Sequence, residues 1–120
     1  MKYSLFIGRW QPWHKGHRWL IDQRLERGKN VCIAIRDTNR DESNPFTPSE
    51  VKKNLEQELS DLIKKKRVKV IIIPDLESVN YGRGVGYDII EHTPPNEIRE
   101  ISATKIRQKL LNETKNNTNL

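Results

Sequence analysis

Three short apolar runs constrain this chain more than anything else in it. They are residues 3–7, 30–36 and 68–73, and each is dense in Ile, Val, Leu or Phe. Each run is too short and too continuous for an amphipathic helix, so each reads as a buried strand. The intervals between them read as helices. Residues 16–27 place Trp19, Leu20 and Leu25 toward a core and stop at Gly28. Thr47-Pro48-Ser49-Glu50 opens a second helix. Thr47 can cap it, Pro48 suits its first position and Glu50 completes a capping box. Val51, Leu55, Leu59, Leu62 and Ile63 follow at helical spacing, and Lys64-Lys65-Lys66-Arg67 closes the helix with cations suited to its dipole. Strands alternating with helices imply an α/β parallel sheet with helices on both faces. Ligands of such sheets bind at the carboxyl ends of the strands, near the point where strand order reverses.

The length of 120 residues suits one domain, expected over 1–113, with the Asn-rich segment 114–120 expected to be a disordered tail. Residues 37–47 read as a loop, 81–86 as a glycine loop, Tyr87–Ile90 as a short strand, and Ser102 as the cap of a last helix reaching about Leu111. The formal charge of +6 fits a polyanionic ligand, and nucleotide phosphates and nucleic acid both qualify. The lone cysteine, Cys32, rules out an internal disulfide and reads as a small core residue. No apolar run is long enough to span a bilayer, and the first residues lack a signal peptide's apolar region, so a cytoplasmic location is expected.

Gly8-Arg9-Trp10-Gln11-Pro12-Trp13-His14-Lys15-Gly16-His17 leaves the first strand and enters the first helix. The first turn of a helix presents unpaired N–H groups that bind anions. Gly16 lets a phosphate or a base approach the backbone. His14 and His17, three residues apart, can face one side and donate hydrogen bonds to phosphate oxygens, while Arg9 and Lys15 add positive charge. The same residues also suit solvated surface histidines and core tryptophans. Two histidines with no close cysteine give little reason to expect zinc. Near the other end, Ile101-Ser102-Ala103-Thr104-Lys105-Ile106-Arg107 sets two hydroxyls, Ser102 and Thr104, at a helix start and Arg107 one turn further in. That arrangement suits an anion, or simply a capped helix.

His14-Lys15-Gly16-His17 resembles the HxGH motif of the cytidylyltransferase-like nucleotidyltransferase superfamily, and Ile101–Arg107 resembles its second signature, ISxTxxR. The longer run Gly8–His14 is similar to the GRFQPFH form of archaeal-type nicotinamide mononucleotide adenylyltransferases. Asn44-Pro45-Phe46-Thr47 with Glu50 is similar to their NPFTAGER segment, but Val51 stands where that pattern has arginine, leaving Arg40, Lys52 or Lys53 as replacements. The stretch Tyr81–Glu100 is shorter than its counterpart in those enzymes, which helps hold the acceptor.

The resemblance covers roughly residues 1–111. It implies a Rossmann-like nucleotidyltransferase that passes a nucleoside monophosphate from a triphosphate to a phosphorylated acceptor and releases pyrophosphate. ATP is implied over CTP by the Gly8–His14 match. His14, His17, Lys15 and Arg107 are the implied catalytic groups. Gly8, Arg9, Trp10, Gln11, Gly16, Ile101, Ser102 and Thr104 are the implied nucleotide site, with Trp13, Arg36 and Arg83 toward the acceptor. Mg²⁺ would be held mainly by phosphates, so no protein ligand is assigned. Nucleic acid and membrane are not expected partners, and self-association is common among such proteins. Three other readings stay open: a cytidylyltransferase acting on a phosphorylated alcohol, a nucleotide sensor without turnover and, against the expectation of no nucleic acid, a basic nucleic-acid-binding module.

Overall fold

In a computed structural model, residues 1–101 and 106–111 are described. The elements run β1 (Tyr3–Gly8), α1 (Lys15–Leu25), β2 (Asn30–Asp37), α2 (Pro48–Glu58), α3 (Ser60–Lys64), β3 (Val68–Pro74) and α4 (Asn96–Arg99), followed by helical residues 106–111. The three strands form one parallel sheet in the order β1-β2-β3, with Phe6 opposite Ile33 and Ile33 opposite Val70. This is the expected Rossmann-like α/β arrangement of a parallel sheet flanked by helices, with α1 and α2 both packed on one face where helices on both were expected. Among the described strands the order does not reverse, so β1 lies at an edge and no switch point forms where the sequence suggested one.

The register explains the core. Phe6, Val31, Ile33, Ile35 and Val68 share one face of the sheet, because side chains alternate along a strand. Ile21 and Leu25 of α1 and Val51 and Leu55 of α2 pack with them, as does Leu59. Parallel neighbours joined by β-α-β crossovers follow one hand as a rule, which puts both crossover helices on the same face, as α1 and α2 are. Tyr3, Leu5 and Ile7 point the other way, and Tyr3 and Leu5 are exposed.

The helix boundaries follow from their caps. Thr47 and Glu50 form the expected capping box, with the Thr47 side chain accepting from the Glu50 N–H and the Glu50 carboxylate accepting from the Thr47 N–H. Gly28, at φ +75°, ends α1, and the Lys29 N–H returns to the Arg24 carbonyl. The single helix expected from Thr47 to Arg67 is two pieces that turn at buried Leu59, whose φ of −113° leaves the helical range. Arg67, expected among the cations that close the helix, instead donates to the Leu25 and Lys29 carbonyls and to Asn30, tying α1 to β2.

Tyr87–Ile90 is not a strand: the segment is exposed and pairs with none of the described strands. A strand needs a neighbour's backbone groups, and this segment has none beside it. The helix α4 was not anticipated. No helix among the described residues is long and apolar enough to cross a membrane. Ser102 and Thr104, and the segment 114–120, lie outside the described residues.

Candidate functional site

The loop from β1 to α1 occupies the carboxyl end of the sheet. Gly8 ends β1 against the Trp10 indole, and a Cβ there would meet Trp10 Cε2 at 2.9 Å. Trp10 is buried and its Nε1 donates to the Ala34 carbonyl of β2 at 3.1 Å. Its φ of 56° is a left-handed conformation that costs a bulky residue about 1–3 kcal/mol, held in place by the surrounding packing.

His14 is the N-cap of α1, a role normally filled by Ser, Thr, Asp or Asn. Its Nδ1 accepts from the backbone N–H groups of Gly16 (3.0 Å) and His17 (3.4 Å), and Nδ1 of His17 accepts in return from the His14 N–H at 3.3 Å. The two imidazoles form a capping box and stack with centroids 3.7 Å apart and an interplanar angle of 17°. Because each Nδ1 is an acceptor, each neutral ring carries its proton on Nε2.

The environment favours the neutral form of both rings. Burial, and then the proximity of His14, push the His17 pKa down to about 3, and burial lowers that of His14. His17 is boxed further by Trp10, edge-on at 4.8 Å, and by Trp13 at 5.4 Å. Gly16 is required beside them, since a Cβ would come within 2.8 Å of His14 Cε1. The site therefore presents two neutral Nε2–H donors at the start of a helix whose first turn also favours an anion.

Basic residues lie on the segments that meet at this loop. Arg9 donates to Asn44 at 3.4 Å, and Lys15 opens α1 with an exposed side chain. Arg107 is buried and donates from Nη1 to the Gln11 carbonyl at 2.6 Å. Burial, and then the repulsion of Arg9, lower the Arg107 pKa, so the two guanidinium groups share one neighbourhood. Ile101 is half-buried, its N–H bonded to the Ile98 carbonyl, and Ile98 in turn approaches Gly16. The fold thus brings α4 and the adjoining Ile101 back to the start of α1.

Other residues singled out in the sequence stand apart from the histidines or are turned inward. Gln11 is 2% exposed, with both ends of its amide spent on the Phe46 backbone. Arg36, at the end of β2, forms an ion pair with Asp75 at 2.8 Å. It borders an open cavity of about 450 Å³ at the carboxyl ends of the strands, with Ile7, Leu76, Glu77, Ser78 and Val79. Arg83 sits in the exposed loop 81–86 and makes no hydrogen bond among the described residues. Val51 is buried in the core, where an arginine could not be solvated; Arg40 instead donates to the Pro45 carbonyl, and Lys52 borders a cavity near the amino ends of β1 and β3. Among the described residues no three His, Cys, Asp or Glu side chains gather to hold a metal.

Three features of this site were not anticipated: histidine as an N-cap, the Gln11–Phe46 contact, and buried Asn44 held by Asp41. Two of them left local traces: the His14–His17 spacing is that of a capping box, and the Asp41 side chain accepts from the Ser43 and Asn44 N–H groups as turn-forming aspartates do.

No family model matches the chain. Curated relatives do. The nicotinamide-nucleotide adenylyltransferase of Pyrococcus furiosus is 39% identical over 80 residues, 63% of this chain and 43% of that protein. That of Ignicoccus hospitalis is 34% identical over 79 residues, covering 61% and 44%. Nicotinamide-nucleotide adenylyltransferase 1 of Sulfolobus acidocaldarius is 37% identical over 81 residues, covering 62% and 43%. The chain is therefore similar, over about three-fifths of its length, to archaeal nicotinamide-nucleotide adenylyltransferases, and its matches span less than half the length of those relatives.

Proposed function

We propose that this chain is an adenylyltransferase that moves AMP from ATP to a phosphorylated small-molecule acceptor. The observation that carries the proposal is the stacked His14–His17 pair, whose Nδ1 atoms are committed to the helix start and whose Nε2–H donors are left for phosphate. The names of the similar proteins support the same reaction class.

In the proposed step, an anionic phosphate oxygen of the acceptor attacks the α-phosphorus of ATP. A new P–O bond forms in line with the bond from the α-phosphorus to the bridging oxygen of the β-phosphate, which breaks. The electron pair leaves with pyrophosphate, and no proton transfer is required. The attacking group is already an anion, so no side chain acts as nucleophile. His14 and His17 donate to the non-bridging oxygens as negative charge builds, and the first turn of α1 adds its N–H groups. Arg9 and Lys15 hold the β- and γ-phosphates by charge. Neutral imidazoles serve this role across ordinary pH because their donors do not depend on protonation.

The flanking groups are N–H-donating imidazoles and cations, which offer no hard oxygen ligand, so a magnesium ion would be held by the triphosphate's own oxygens and would, when bound, spread the charge of the leaving pyrophosphate. Trp13, Arg36 and Arg83 are assigned to the acceptor side. Ser102 and Thr104 are assigned to the phosphates by the signature they belong to. The cavity beside Arg36 is the candidate acceptor pocket. The surroundings proposed are the cytoplasm, with self-association left to measurement.

The test is pyrophosphate release with magnesium, using ATP or CTP against a panel of phosphorylated acceptors that includes nicotinamide mononucleotide and phosphopantetheine. Release with ATP and one acceptor is the expected result. Release only with CTP would make the chain a cytidylyltransferase, and ATP binding without release from any pair would make it a sensor.

A further inference from the structure

Gln11 lies three residues before the N-cap of α1, at the point where three distant segments meet. Its amide nitrogen donates to the Phe46 carbonyl at 2.9 Å and its amide oxygen accepts from the Phe46 N–H at 3.0 Å. One side chain thus pairs with both backbone groups of one residue, as a neighbouring strand would. The backbone carbonyl of Gln11 accepts from Arg107 across 96 positions of sequence. Immediately before it, Trp10 is bonded to Ala34 of β2 and Arg9 to Asn44. The loop that delivers His14 and His17 is therefore pinned to β2, to the segment before α2 and to the last helix.

A residue that contacts a nucleotide directly needs a polar atom that is unspent and accessible. Gln11 has neither: it is 2% exposed and its amide is satisfied at both ends. A fully satisfied buried amide fixes one geometry and penalises any other, because displacement would leave the Phe46 groups and the amide unpaired in the interior.

We infer that Gln11 is a positioning residue, whose amide locks the β1–α1 loop to the Phe46 backbone and so sets the placement of the two histidines. This rests on the adenylyl-transfer reading for its kinetic consequence. Its spectroscopic consequence does not depend on that reading.

The experiment compares wild type with Gln11→Met, which keeps the bulk and removes both hydrogen bonds, and with Gln11→Glu, which keeps only the acceptor. The second variant serves if the first does not fold. Pyrophosphate release and the ring nitrogen signals of His14 and His17 are read for each. A misplaced constellation costs on the order of 100-fold in rate. The expected result is a loss of that order in kcat for Gln11→Met, a KM for ATP within about threefold of wild type, and displaced signals from both rings. A raised KM with unchanged kcat would overturn the inference in favour of direct nucleotide contact. Unmoved ring signals, with kcat unchanged per folded molecule, would reduce Gln11 to packing. If the wild type releases no pyrophosphate with any acceptor, adenylyl transfer fails on its own account, and the ring signals alone decide the role of Gln11.

Discussion

His14 and His17 cap each other: Nδ1 of His14 receives the His17 N–H, and Nδ1 of His17 receives the His14 N–H. The helix start and the candidate catalytic groups are thus one structure, so a substitution at His14 affects stability and chemistry together unless the replacement separates them.

His14→Asn separates them. Asparagine is among the best N-caps, so the helix start keeps an acceptor for its N–H groups. It has no Nε2–H on a stacked ring. The expected outcome is a melting temperature close to wild type and a fall in kcat of about 10²–10³-fold, the cost of removing one preorganised donor. His14→Ala should lose the cap as well, at about 1 kcal/mol. Calorimetry beside steady-state kinetics checks both.

Stability should depend on His17. Its folded pKa is depressed to about 3 from an ordinary value of 6.5, so between those values the unfolded chain binds the extra proton. Stability contributed by the neutral ring is fully present above about pH 6.5 and is lost as pH falls toward 3. Urea unfolding across this range should give stability that rises with pH and levels off near neutrality. In His17→Asn the rise above pH 5 should shrink, since the exposed carboxylates Glu50 and Asp75, with lowered values, act below that range.

Gly16→Ala should damage activity more than folding. Alanine favours a helix over glycine by up to about 1 kcal/mol, but its Cβ would press on the His14 ring at 2.8 Å. The expected result is an unfolding midpoint near wild type with kcat reduced at least tenfold, about 1.4 kcal/mol of transition-state stabilisation. Kinetics and urea titration on one preparation read both.

Leu55→Ala tests the core. Leu55 is fully buried between α2 and the sheet, and truncation there should cost about 2–5 kcal/mol in urea unfolding. Ile72, on the same sheet face but exposed, should tolerate alanine with under about 1 kcal/mol lost.

The sequence showed most clearly what local rules determine. The strand runs, the Thr47–Glu50 box and the Gly28 stop each depend on residues within one turn of each other, and each appears in the fold. Where tertiary contacts decide, the reading fell short. Gln11 meets Phe46 across 35 positions, and nothing local in either residue announces it. Trp10 and Gln11 resemble nucleotide contacts in their motif, yet the fold turns both inward. Tyr87–Ile90 has the composition of a strand but lies against no strand edge. The histidine cap was hidden because histidine is an uncommon capping residue, although its spacing to His17 is that of a capping box.

The most direct test of the proposed chemistry is the product itself. Wild-type chain, ATP, magnesium and each acceptor are incubated, and the products are weighed by mass spectrometry, with His17→Ala alongside. The predicted result is an acceptor heavier by one AMP less water, formed with stoichiometric pyrophosphate and absent in a His17→Ala protein that still binds ATP. Equal product from His17→Ala, or cleavage of ATP with every acceptor left unmodified, would contradict the account.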